Sequence, residues 1–276
     1  MTIKRRPLLI GAGAASVVSA GARAQPKLAP PDLIAAGTLT MSINPTLPPM
    51  QFVDDTGTVR GMRVELADAV AKALGLKPEY VRTEFAVMIP GLAAKRWDMI
   101  NTGIFWTEER SKLMYMVPYE RAAISFLAAR GNPLGIAKWQ DLAGRPVGVE
   151  LGGIEERRTR EVADMLGKAG LKPLEVRTFN NFAEAFQALR AGQVEAATCI
   201  DATAMFMQSR GDFTRAVAGL FPQIAAFAFA NKHLADASVQ ALNDLRKSGF
   251  YDALLDRYGV LKIEESEFAI RGPGPG

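Results

Sequence analysis

The sequence predicts an α/β protein built from two related units, each a mostly parallel sheet flanked by helices. Two observations carry that prediction. Strand-like and helix-like apolar patterns alternate β-α-β-α-β between residues 38 and 100. The nonapeptide GLKPEYVRT at 75–83 returns as GLKPLEVRT at 170–178, with seven of nine positions identical, and like elements follow each copy. Nine residues alone could match by chance in a favoured turn; the matched order of elements favours two related units.

The elements follow in order. Residues 38–43 alternate as a strand, 44–50 (NPTLPPM) form a proline-stiffened loop, 51–53 extend again, and 54–57 turn. Met62, Leu66, Val70 and Leu74 recur every four residues, which predicts an amphipathic helix over 62–74 stopped by Gly75. A strand at 78–83, a short helix at 87–95 and a strand at 97–100 complete the first unit. A turn-rich piece at 115–119 leads to an apolar strand at 122–129. A helical turn at 139–142 and a strand at 147–149 precede a helix over 155–168. The Gly152-Gly153 pair before that helix is either an anion-accepting nest or a tight turn. The second unit continues through the repeat, a helix at 182–191 and a strand at 196–200. A helix at 202–209, a strand at 224–231 and helices at 234–247 and 250–258 end the chain before a flexible RGPGPG tail.

Residues 1–24 read as a signal peptide. Lys4, Arg5 and Arg6 precede an apolar stretch too short to span a bilayer, and Ala22-Arg23-Ala24 fits a cleavage site. The Arg5-Arg6 pair admits twin-arginine export beside the general secretory route. The formal charge of +4 comes from this segment, which holds four of the 33 basic residues and no acid; 29 basic and 29 acidic residues remain. The basic balance therefore carries no argument for nucleic acid or membrane binding. Cys199, the only cysteine, excludes an internal disulfide and reads as a buried, inert thiol. His233, the only histidine, excludes a His-based metal cluster and reads as part of a surface turn. No metal, cofactor or catalytic residue is expected.

The segment 101–110, NTGIFWTEER, holds the clearest candidate for binding chemistry. Thr107 is a good helix N-cap, and Glu108 and Glu109 suit a first turn. Arg110 then opposes the helix dipole. Free backbone N–H groups beside a guanidinium fork suit a bound carboxylate. The plain alternative is a solvated arginine paired with Glu108 or Glu109. In the second unit Asp201 occupies the place of the 102–104 bend, so a carboxylate and a guanidinium would face each other across a cleft and match a zwitterion. Asp201 could equally cap the helix that follows it.

With these residues in view, the chain resembles the family-3 periplasmic solute-binding proteins, the amino-acid-type receptors of ABC importers. PPMQFVDD at 48–55 resembles the family's PPF-E-F segment, and 61–74 its G-F-D-V-D-L-A helix. Residues 89–100 and Thr107-Glu108-Glu109-Arg110 resemble its L-I-P-x-L…D and T-P-E-R blocks. DLAG at 141–144 with VGV at 147–149, then 185–201 and 242–258, resemble later blocks. The resemblance implies a two-lobed periplasmic-binding-protein fold of type II with the ligand in the interlobe cleft. Lobe 1 would be 31–124 plus 224–276 and lobe 2 125–223, with crossing strands near 122–129 and 221–228.

It also implies that Arg110 holds an α-carboxylate and Asp201 an α-ammonium, with hydrogen bonds from Thr102 and the Gly103 backbone and with Phe85 lining the side-chain pocket. Leu47 stands where the family often has Tyr, Phe105 where it often has a small hydroxyl residue, and Gly153-Ile154 replaces a Gly/Thr-rich pair. Asn44 lies near an acid that selects basic side chains in some members. A pocket of Leu47, Phe85 and Phe105, with Trp106 as a further candidate, would favour an apolar or aromatic solute side chain over a basic one. The implied partners are the solute and an inner-membrane permease, for a periplasmic, monomeric receptor without nucleic acid or membrane insertion. The alternative function is an exported dehydratase of the cyclohexadienyl type on the same scaffold, for which Asp201 or Glu150 could supply a general acid.

Overall fold

The first strand, β1 (Thr38–Ile43), is almost wholly buried. The computed structural model describes residues 27–275, so the expected signal segment lies outside it. Short strands β2 (Thr46–Leu47), β3 (Gln51–Val53) and β4 (Val59–Arg60) pair antiparallel as a small separate sheet. Helix α1 (Met62–Ala73) leads to β5 (Lys77–Arg82), and a 3-10 turn at Phe85–Val87 leads into α2 (Met88–Ala93). Strand β6 (Met99–Phe105), the four-residue α3 (Glu108–Ser111) and the long β7 (Tyr115–Ala129) follow. The second unit contains β8 (Pro146–Glu150), α4 (Ile154–Lys168), β9 (Glu175–Phe179), α5 (Phe182–Arg190) and β10 (Ala196–Ile200). The remainder is α6 (Asp201–Ser209), β11 (Phe213–Phe229), α7 (Lys232–Lys247) and α8 (Phe250–Tyr258).

The main sheet has the order β5-β1-β6-β11-β7-β10-β8-β9. In one half β1 lies between β5 and β6, parallel to both; in the other β8 lies between β9 and β10, parallel to both. β1-α1-β5-α2-β6 and β8-α4-β9-α5-β10 thus repeat one topology, with the two GLKP copies at equivalent places. Strands β7 and β11 join the halves. Residues 224–229 of β11 lie beside the start of β7 and β6, while residues 124–128 of β7 pair with β10. Their mutual register shifts repeatedly between Arg215 and Gln223, and Phe221 adopts φ 49°.

Each half buries its own helices. Met62, Leu66 and Val70 of α1 pack with Leu234 and Leu242 of α7, all inaccessible to solvent. At roughly 1.5–3 kcal/mol per fully buried aliphatic side chain, this face holds α1 to the sheet. In the other half Phe182, Phe186 and Leu189 of α5 meet Phe213 and Cys199. The thiol is buried as expected, and burial pushes its pKa well up.

Three expected boundaries differ for one reason: tertiary pairing extends strands beyond their local apolar runs, and the strand expected to begin at 224 already begins at Phe213, paired with β7. The strand expected to stop at 100 continues to Phe105, because β11 supplies antiparallel partners as far as Ala225. The piece read as turn-rich at 115–119 is the first part of β7, paired with residues 225–229. His233 stands in the first turn of α7, with Nδ1 2.9 Å from Asp32 Oδ2, and not in a surface turn.

Candidate functional site

The parallel strands of each half end toward the other half, and a chamber lies between those ends, as is usual for ligand sites in α/β sheets. The β1 half supplies Asn44, Leu47, Arg63, Phe85, residues 102–105 and Arg110 to its wall. The β8 half supplies Glu150, Ile154, Glu155 and Phe182. With the side chains as they stand, the chamber measures about 10 Å³, room for roughly one water. Arg110 and Ile154 also line an outer mouth of about 590 Å³, together with Gly153 and the exposed face of α4. Admission of a solute to the chamber requires the two walls to part.

Arg110 sits where its cap places it. Thr107 Oγ1 accepts from the Arg110 backbone N–H at 3.1 Å, the expected N-cap, although α3 is a single turn. The side chain folds back over Phe85, with Cζ 5.3 Å from the ring centroid, and Nη1 donates to the Phe105 carbonyl at 3.0 Å. It makes no pair with Glu108, which instead pairs with Lys112. Burial lowers the guanidinium pKa, and Glu155 opposes that shift.

Thr102 and Gly103 are clamped from behind. Gln51 Nε2 donates to both the carbonyl and Oγ1 of Thr102 at 3.1 Å, and Arg63 Nη1 donates to the same carbonyl at 2.8 Å. Arg63 is 1% exposed and ion-paired with the fully buried Glu120. Gly103 has φ +71°, and a Cβ there would lie 2.0 Å from the Arg63 guanidinium carbon. Both facts require glycine at this point of β6. Phe105 lines the chamber and also belongs to the main core. Trp106 turns away, donating from Nε1 to the Arg271 carbonyl under the Arg271 guanidinium.

The opposite wall is acidic. Glu155, in the first turn of α4, is 6% exposed. Its Oε2 lies 2.7 Å from where a Gly153 Cβ would be, so the absence of a side chain at Gly153 makes room for this carboxylate. Burial raises the Glu155 pKa, opposed by Arg110 and Arg63. Glu150, at the end of β8, is 3% exposed and accepts from Asn44 Nδ2 at 2.5 Å. Thr46 donates to Asn44 Oδ1, which fixes the amide with its N–H toward Glu150. Burial pushes the Glu150 pKa well up, and Glu155 and Glu84 push the same way.

Asn44, Leu47, Phe85, Thr102, Gly103, Phe105 and Arg110 therefore come together, and Gly153 stands at the mouth. Of the two readings of Gly152-Gly153 the turn holds, and the Gly152 N–H donates to Glu156 of the chain itself. Asp201 requires correction, since it does not line the Arg110 chamber. It is the first residue of α6 rather than its N-cap, and its carboxylate takes Arg215 at 2.6 Å and the Ser125 hydroxyl at 2.5 Å. Its partners explain the turn away: Ser125 stands on β7 opposite Cys199 of β10 and Arg215 stands on β11, and together they hold the carboxylate on the side of those strands. The expectation of an apolar pocket is corrected with it, because Arg63, Glu150 and Glu155 line the chamber. Arg63 had a legible signal: it stands at the third place of the block resembling G-F-D-V-D-L-A, where that pattern has an acid.

Residues 39–260 match the family described as bacterial extracellular solute-binding proteins, family 3. The L-cystine-binding protein TcyJ of Escherichia coli strain K12 is 29% identical over 227 residues, covering 80% of this chain and 82% of that protein. An ancestral arginine-binding protein bound to glutamine is 32% identical with a TM-score of 0.72, covering 80% of this chain and 97% of that one. The ancestral amino acid-binding protein AncCDT-1, a precursor of cyclohexadienyl dehydratase, is 28% identical with a TM-score of 0.69, covering 80% and 95%.

Proposed function

Because the chain belongs to the bacterial extracellular solute-binding proteins of family 3, with the bilobed type II fold of an ABC-importer receptor for a small amino-acid-like solute, we propose that its solute binds in the chamber between Arg110 and Glu155. The solute's carboxylate pairs with the Arg110 guanidinium and takes backbone N–H groups near Thr102 and Gly103. Its ammonium pairs with Glu155, the role that the sequence had suggested for Asp201. The observation that carries this reading is the convergence of Arg110, clamped β6 and a buried Glu155 from opposite halves in one chamber.

Capture is a closure of two lobes, with borders at 31–124 plus 224–276 and 125–223. The shifted pairing of β7 and β11 near Phe221 supports a hinge there. Contacts to both walls favour the closed form by the difference in solute affinity between the two states. The closed form then docks on a cognate permease as a monomer, after export and removal of residues 1–24.

Titration calorimetry with a panel of L-amino acids tests the site. Arg110→Ala removes a charge-assisted, two-pronged contact, for which about 1.5–3 kcal/mol per hydrogen bond gives a loss of at least about 100-fold in affinity. An affinity within threefold of the parent protein would remove Arg110 from the site.

A further inference from the structure

We propose that Glu150 selects the solute's side chain, and that this side chain carries a positive charge. The proposal rests on the amino-acid reading of the chamber given above. Its first support is a charge count. The chamber and the group directly behind it hold the carboxylates of Glu120, Glu150 and Glu155 against the guanidiniums of Arg63 and Arg110. Glu120 is taken by Arg63. A zwitterion answers Arg110 with its carboxylate and Glu155 with its ammonium. Glu150 remains, hydrogen-bonded to an uncharged amide and facing Glu155 and Glu84. Leaving an ionised carboxylate buried without a counter-charge is costly, and a cation from the solute removes that cost.

The second support is position. Asn44 and Glu150 come from opposite halves, so their hydrogen bond spans the chamber. A cationic group inserted there would meet the Asn44 carbonyl oxygen on one wall and a carboxylate on the other. The apolar stem of a lysine- or arginine-like side chain would run along Leu47 and Phe85, which line the same space. The selecting acid is thus carried by the wall that moves in on closure. Discrimination is exercised when the lobes shut, since only a cationic side chain lets Glu150 approach with its charge answered.

The test compares L-lysine and L-arginine with L-norleucine and L-glutamine by titration calorimetry on the mature protein, in the parent form, in Glu150→Gln and in the exchange variant Asn44→Asp/Glu150→Asn. The parent should prefer the cationic pair by about 10- to 100-fold, as expected for one charge-assisted contact in a buried site. Glu150→Gln should bring the ratio to within about threefold of unity. The exchange variant returns the acid to the opposite wall and should restore the preference, which a merely structural role for Glu150 would not do. A preference for the neutral pair in the parent, or one for the cationic pair that survives Glu150→Gln, overturns the assignment while leaving the amino-acid reading intact. Failure of all four ligands to bind the parent overturns the cationic assignment, and the amino-acid reading falls with it when the wider panel of L-amino acids also fails to bind.

Discussion

Truncation of Arg63 is the sharpest test of how this site is held. The side chain is 1% exposed, and its Nε and Nη2 both donate to Glu120 Oε1. Nη1 donates to Gln51 Oε1 at 3.0 Å and to the Thr102 carbonyl at 2.8 Å. Glu120 is fully buried, and its Oε2 has no hydrogen-bond partner among the described residues. Arg63→Met therefore leaves a carboxylate sealed in the interior without its cation. Removing one member of a buried pair costs about 3–5 kcal/mol, most of it the unanswered charge rather than the lost attraction. At about 2–4 °C per kcal/mol for a chain of this order of size, the melting temperature should fall by roughly 6–20 °C. Replacing both partners, Arg63→Met with Glu120→Leu, removes the stranded charge and should recover most of that loss. Thermal melts followed by circular dichroism, with both singles and the double, measure the coupling. A single variant that melts within about 2 °C of the parent would refute the argument. So would a double variant no more stable than the singles.

Two further expectations follow from the same geometry. Asp201→Ala should leave solute affinity within threefold, because the carboxylate is engaged by Arg215 and Ser125 outside the chamber; the half-screened pair should cost about 1 kcal/mol or less in stability, and a tenfold loss in affinity by calorimetry would return Asp201 to the site. The pH dependence should have opposite signs for folding and binding. Burial raises Glu150 and Glu155 above the ordinary carboxyl value of 4.5, so the folded chain binds protons that the unfolded chain releases. Their stabilising contribution is full below 4.5 and is lost as pH rises through the raised folded values. A cationic side chain at Glu150 requires the ionised carboxylate, so lysine affinity should rise through the same window with release of protons. Melting temperatures and calorimetry in buffers of differing ionisation enthalpy read both slopes, and lysine affinity that falls with rising pH would contradict the placement of the cation.

Local sequence was enough for the helices, since their signals lie within the helix itself. The four-residue spacing from Met62 gave α1 to within a residue, and Thr107 caps where its side chain predicts. The repeat alone carries the signal of the duplicated topology. Strand ends were less legible. Whether 101–105 bends or extends depends on a partner strand more than a hundred residues away, and nothing within NTGIF announces β11.

The sequence by itself determined the class of fold and the pairing of like units, because each follows from periodicity or repetition read along the chain, and it singled out Arg110 as a candidate cation behind its Thr107 cap. The tertiary structure alone decided which carboxylates line the chamber. Asp201 sat at the right place in the repeat, but Arg215 and Ser125 take its carboxylate; Glu150 and Glu155 lay in an ordinary strand-to-helix segment until the two halves came together. Which acid faces which cation is a property of the space between the two halves of the main sheet. That space is fixed by the packing of β7 against β11, and no short stretch of the chain encodes it.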